Sequence, residues 1–201
     1  MHQSTANISE PMRGGHEIMR EIDTARLRLR RWRDEDAEPW AALNADPTVM
    51  AHFPAPLSRQ ESDAAIARMR SHIDERGFGS WVIEVPGIAP FIGVVGLNVP
   101  SFEAPFTPCV EIAYRMARAH WGQGYATEAA RAARDFGFDD LGLDEIVAFT
   151  VPDNRRSRAV MERIGMRHAE VDDFDHPRLP DGHPLRRHVL YRLTRADRPA
   201  G

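Results

Sequence analysis

One stretch limits the folds open to this chain. CVEIAYRM, an apolar run beginning at Cys109, and EIVAFTV, another beginning at Glu145, enclose RAHWGQGYATEAARAARDFGF. In that insert Gly122 and Gly124 lead into Ala126, Ala129, Ala130, Ala133 and Phe136, spaced as the buried face of a helix. Strand, helix and strand in that order cannot be a hairpin. The two strands run parallel in one sheet, and the helix crosses its face in the right-handed sense. The expected class is therefore α/β, with small inward side chains letting the crossover helix sit close to the sheet.

The flanking segments fill out that sheet. TARLRLRRW, residues 24–32, alternates Leu27 and Leu29 with arginines, as a half-buried strand does. DEDAEPWAALNADP predicts a helix with Pro39 in its first turn, where the missing N–H costs little. SRQESDAAIARMRSHIDERG predicts an amphipathic helix. Ser58 and Glu61 form a capping box, and Ala65, Ile66, Met69 and Ile73 its apolar stripe. SWVIEV and FIGVVGLNV, joined by PGIAP, read as a hairpin pair. DNRRSRAVMERIGM predicts a helix capped by Asn154 and ended by Gly165, and RRHVLYRLTR a closing strand. Residues 1–20 and 197–201, polar and aperiodic, are expected to be flexible tails around one domain at 21–196.

Charge and cysteine content narrow the function. The net charge is −4, and all 26 basic residues are arginine, so no global basic field draws nucleic acid. Most arginines alternate with acids, as in RWRDEDAE, and read as solvated surface. No apolar run approaches the roughly 18 residues of a membrane helix, and residues 1–19 lack the apolar core of a secretory leader. Cys109 is the only cysteine, which excludes an intrachain disulfide and makes a reducing cytoplasm the expected setting. His176, His183 and His188 stand among Asp173, Asp175 and Asp181, but at spacings too irregular for a metal site. That segment is expected to border a pocket instead. Trp40, His52, Phe53, Trp81 and His120 are further candidates to line it, with core packing the default for Trp40 and Trp81.

Two motifs carry chemistry. A glycine turn at the carboxyl end of a strand, opening onto a helix, bares main-chain donors and a partial positive charge to an anion such as a phosphate. Thr127 would add a hydroxyl in the first helical turn. An ordinary tight turn needs the same glycines. The motif is neither a Walker loop, since no G-K-[ST] follows, nor a Rossmann fingerprint, since Thr127 replaces the third glycine. In PDNRRSRAVMERIGM, Ser157 shares a helix face with Val160, Met161 and Ile164, which aims it inward beside Asn154. Asn154 as a simple cap and Ser157 as a hydroxyl bonded to its own backbone remain alternative readings.

Together, EIAYRMARAHWGQGYATEAARAARDFGF and FTVPDNRRSRAVMERIGMRHAE resemble the GNAT superfamily of acetyl-CoA-dependent N-acetyltransferases. Within it they are most similar to the ribosomal-protein N-terminal acetyltransferases of the RimJ/RimL type. The likeness runs from about residue 24 to 195. It implies a mixed, largely antiparallel twisted sheet with a central parallel βαβ unit and flanking helices. It implies acetyl-CoA as co-substrate, no metal, and an amine acceptor that is either a protein N-terminus or a small molecule. A homodimer would cover the sheet edges. The resemblance places the pyrophosphate of coenzyme A on Trp121, Gly122, Gln123, Gly124, Tyr125, Ala126 and Thr127. The pantetheine arm would lie along Tyr114, Arg115, Met116 and Ala117, with Asn154 touching it and Ser157 facing the sulfur. The family pattern has Gln or Arg three residues before the first glycine, where this chain has Ala119.

An amine that attacks the thioester carbonyl needs to be neutral, and the oxyanion needs a donor, for which an N–H near Met116 is the candidate. The leaving thiolate gains from a hydroxyl such as Ser157. Glu111 is the candidate base, a mid-strand carboxylate on the same face as Ala113. An edge-of-core Glu paired with an arginine is the alternative. A base acting here is expected to matter most at low pH. A non-catalytic acyl-CoA-binding module and a nucleotide-binding domain are the competing classes.

Overall fold

A computed structural model describes residues 19–199. Among these, nine strands form one sheet and four α-helices cover it. The strands are β1 (Ile22–Asp23), β2 (Arg28–Arg30), β3 (Ser80–Val85), β4 (Ala89–Asn98), β5 (Glu111–Met116), β6 (Glu145–Thr150), β7 (Arg167–His168), β8 (Phe174–Asp175) and β9 (Arg187–Thr194). The helices are α1 (Ala37–Ala45), α2 (Arg59–Arg76), α3 (Tyr125–Asp139) and α4 (Arg155–Arg163). The sheet order is β1-β2-β3-β4-β5-β6-β9-β7, with β8 also on β9. β5 and β6 are parallel and every other pair is antiparallel, so the crossover through α3 has the topology the sequence predicts. No helix of the described residues is long and apolar enough to cross a membrane.

The core lies on both faces of the sheet. On one, Trp81, Ile83, Val95, Leu97, Ile112 and Met116 pack under α3 and α4 through Ala129, Ala130, Ala133, Phe136, Val160, Met161 and Ile164. On the other, Val82, Phe91 and Val94 pack under α1 and α2 through Trp40, Leu43 and Ile66. The Ser58–Glu61 capping box starts α2, and Gly77 at φ 75° ends it. The face-by-face alternation of β4 slips by one residue between Ile92 and Val94. Gly93 sits at that slip with φ 151°, and a Cβ there would come within 2.3 Å of Arg115 O. Only glycine lets β4 lie that close to β5 at the end where the site forms.

Two sequence expectations change. Residues 24–32 are not one strand: Thr24 Oγ1 accepts from Leu27 N at 3.0 Å and Thr24 N donates to Leu27 O at 2.8 Å, making a turn between β1 and β2. The acid-interleaved arginines are not all surface. Arg30, 1% exposed, donates to Asp36, Glu84, Arg31 O and Pro90 O, and Asp36 is 3% exposed. Of the expected amino-terminal tail, residues 1–18 lie outside the described residues. Met19 is buried, and Arg20 makes a bidentate pair with Asp140. At the other end residues 200 and 201 lie outside them, while Arg198 pairs with Asp135 and Asp139.

Candidate active site

β5 and β6 share a single register pair, Glu111 opposite Val147. Val147 N–H reaches Val110 O at 2.9 Å, and beyond that point the strands separate. Strand N–H groups alternate between the two edges. Ala117 N–H goes to Ile92 O on β4, so the N–H groups of Tyr114 and Met116 face the gap. Met116 O on that edge accepts from the Trp121 indole at 2.9 Å. The gap opens into a cleft of about 2130 Å³ that reaches both faces of the sheet.

The turn at the mouth of this gap is shaped for an anion. Gly122 and Gly124 have φ values of 76° and 80°, left-handed conformations that favour glycine. A Cβ on Gly122 would meet nothing within 4 Å, so the space in front of the turn is open. Main-chain N–H groups of residues 122–127 have no acceptor among the described residues; the first helical bond of α3 is Glu128 N to Gly124 O. Arg26 holds the turn from behind. It donates to Gln123 O at 2.9 Å and to Glu128 Oε2 at 2.7 Å, and lies 4.8 Å over the Tyr125 ring. Burial acts to raise the Glu128 pKa, but bonds from Thr24 and Arg26 outweigh it and hold the carboxyl below its usual range. Those bonds draw an acid away from a site otherwise ready for an anion. The guanidinium of Arg156 stacks on Trp121 at 4.5 Å, adding positive charge at the rim.

α4 supplies the opposite wall. Asn154 Oδ1 accepts from Ser157 N at 3.2 Å and its Nδ2 donates to Thr150 Oγ1 at 2.9 Å, so the residue is a true cap and also ties α4 to β6. Its second amide hydrogen has no acceptor among the described residues. Tyr114 Oη donates to Ser157 O at 2.8 Å and lies 3.1 Å from Ser157 Oγ. Burial, the largest influence, raises the tyrosine pKa, so the phenol stays protonated at neutral pH.

Of the sequence-predicted residues, Glu111, Tyr114, Arg115, Met116, Trp121, Gly122, Gly124, Tyr125, Ala126, Thr127, Asn154 and Ser157 all border this one cleft. Ala117 and Gln123 do not. The first packs against the α1–α2 core, and the second donates its side chain to Ala119 O. Arg115 borders the cleft from the face opposite Tyr114, toward α1. Glu111 shares that face. It has no hydrogen-bond or ion-pair partner among the described residues, and burial pushes its carboxyl up to about 8. The arginine pairing that would make it structural is absent there.

The part of the cleft away from the glycine turn has aromatic walls. Phe149, His176 and His188 stand on one side, with His176 and His188 rings 5.1 Å apart. His52, Phe53 and Trp40 stand on the other. Burial, the largest influence, lowers the pKa of both His176 and His188, which favours their neutral form. The segment carrying His176 does border the pocket as its position suggested. His120 lines the cleft, whereas Trp81 is wholly in the core. Sequence reading missed Arg26, whose partner lies 102 residues away. It also missed the Phe102, Phe106, Phe149 and Phe174 cluster, which long-range pairing assembles. Among the described residues no group of three His, Cys, Asp or Glu is placed to hold a metal.

Comparisons with known proteins identify the family and the fold. Residues 26–167 match the family described as Acetyltransferase (GNAT) domain. The FsC-acetyl coenzyme A-N(2)-transacetylase of Aspergillus fumigatus is 35% identical over 187 residues, covering 88% of this chain and 77% of that protein. The crystal structure of an acetyltransferase from Agrobacterium tumefaciens superposes with a TM-score of 0.69 at 28% identity, over 87% of this chain and 94% of the other. Mycobacterium smegmatis RimJ in complex with CoA-disulfide shares the fold, with a TM-score of 0.69 at 23% identity over 87% and 85% of the two chains. The chain belongs to the GNAT family and is an acetyl-CoA-dependent N-acetyltransferase.

Proposed function

We propose that the enzyme transfers acetyl from acetyl-CoA directly to a primary amine, either a small molecule or a protein N-terminal α-amine, in a ternary complex. The single observation that carries this reading is the forked sheet. One gap holds the bared amides of residues 122–127 at its mouth, the free N–H groups of Tyr114 and Met116 along its edge, and Glu111 on the acceptor face.

In this reading the diphosphate docks on the turn amides, and the pantetheine arm completes hydrogen bonds that β5 lacks on its open edge. The amine enters from the aromatic-walled part of the cleft and attacks the thioester carbon. The developing oxyanion takes the N–H of Met116. Glu111, ionised, receives the amine proton directly or through a water. The C–S bond breaks, and the Ser157 hydroxyl stabilises the leaving thiolate. Tyr114 orients that hydroxyl by fixing the Ser157 carbonyl. Because burial raises Glu111 to about 8, its base form accumulates with rising pH. The expected importance at low pH is thereby reversed.

The test is release of free CoA thiol across a panel of small amines and peptides with free N-termini. Acceptor-dependent release from one class supports transfer and selects the acceptor. Tight acetyl-CoA binding without release on any acceptor would identify a binding module instead.

A further inference from the structure

Arg115 is a half-buried cation, its Nε enclosed, without a counterion among the described residues. Its guanidinium lies 4.2 Å from the Phe53 ring centroid and 5.2 Å from that of Trp40, held between two aromatic faces. Its one hydrogen bond is from Nη1 to Asn44 Oδ1. Asn44 is 0% exposed and is itself fixed by Nδ2 donating to Ser62 Oγ at 3.2 Å. Arg115 Nε is enclosed with no acceptor, and Nη2, which is not enclosed, has none either among the described residues. Arg30 offers a comparison inside the same molecule: it is more deeply buried, at 1% exposed, and is met by two carboxylates and two carbonyls. Burial lowers the Arg115 pKa to about 10, still far above neutrality, so the charge persists. A charge partly enclosed without a counterion carries a desolvation cost, and a ligand that supplies one offsets it.

The side chain borders the aromatic-walled part of the cleft, not the turn that faces the diphosphate. Thr48, Arg68 and His72 border the same cleft. A planar fork between two ring faces suits a planar monoanion, and the fixed Asn44 sets its angle before any ligand arrives. We propose that Arg115 binds a carboxylate of the acceptor, so that the amine acetylated here carries an acid group. This rests on the amine-transfer reading above. Glu111 and Arg115 share a strand face four residues apart, about 13 Å between Cα atoms. The two groups of the acceptor are therefore separated by several bonds and do not sit on one α-carbon.

The experiment uses the straight-chain series from 4-aminobutanoate to 8-aminooctanoate, each as free acid and as methylamide. Binding to the full chain saturated with CoA is measured by calorimetry, and transfer by thiol release from acetyl-CoA. At one or more lengths the acid binds at least about tenfold tighter than its methylamide, as a charge-assisted bond implies. Arg115→Met brings that ratio to about one, and Arg115→Lys keeps part of it. A wild-type ratio near one at every length overturns the proposal without recourse to a variant, as does an undiminished ratio in folded Arg115→Met. Acids that bind through Arg115 yet release no thiol would leave the carboxylate site standing and remove the amine-transfer reading. Acids and methylamides acetylated at equal rates would do the reverse.

Discussion

At the scale of single residues, environment decides chemistry more than residue type does. Glu111 and Glu128 are both half-buried glutamates near the same cleft. One has no partner and its pKa is driven up to about 8; the other is held low by Thr24 and Arg26. Only the first can exchange a proton near neutrality. Glu111→Gln is expected to lower kcat about a hundredfold at pH 8 and above, where the wild type is ionised. The gap should narrow toward pH 6, where the wild type is protonated too. A pH profile of kcat for both forms reads this, and parallel profiles would remove Glu111 from the proton transfer. Gly124 is the second test. Valine would adopt φ 80° only with strain, and its Cβ would lie 3.3 Å from the Arg26 guanidinium. Gly124→Val is expected to weaken CoA binding at least about tenfold by calorimetry, and unchanged affinity would discard the turn as the diphosphate site.

At the scale of elements, local signals were legible wherever a short sequence carries its own geometry. The capping box of α2, the Asn154 cap of α4 and the glycine turn before α3 all involve residues within a few positions of one another. The fold class followed from the order of elements around α3, because few topologies satisfy it. Arg26 was not legible for the opposite reason. An arginine every second residue along a strand looks like a solvent-facing row, and nothing nearby announces that Glu128 will come to meet it. Arg115 was named as a site residue, but nothing local shows that Trp40 and Phe53 will meet it from the opposite face. The turn at residues 24–27 escaped notice in the same way, since Leu27 and Leu29 keep the alternation of a strand through it. The α4 cap yields a prediction of its own. Asn154→Ala removes the bonds to Ser157 N and Thr150 Oγ1. It is expected to cost about 1 kcal/mol, or about 3 °C in Tm for a domain of this size. It should also raise the KM for acetyl-CoA, because Ser157 loses its anchor. A lower Tm with an unaltered KM would confine Asn154 to the cap.

At the scale of the whole molecule, Glu111 links the site to global stability. Unfolded, its carboxyl ionises near 4.5; folded, near 8. Between those pH values the unfolded chain has released a proton that the folded chain retains, so stability falls as pH rises through the window and levels off above 8. Glu111→Gln has no such proton to lose. Its Tm relative to wild type should rise steadily from pH 4.5 to 8, as scanning calorimetry in the absence of CoA would read. A constant difference across that range would show that the folded pKa is not raised. The sheet has a mechanical side as well. Five strands on one flank and four on the other are joined through the lone pair at Glu111 and Val147. α3 packs across both flanks of that joint, and in the proposed reading the co-substrate lying in the fork would span the edges the strands leave unpaired. Bound CoA would then be a keystone, and deuterium uptake at the amides of Tyr114 and Met116 should slow once it is seated.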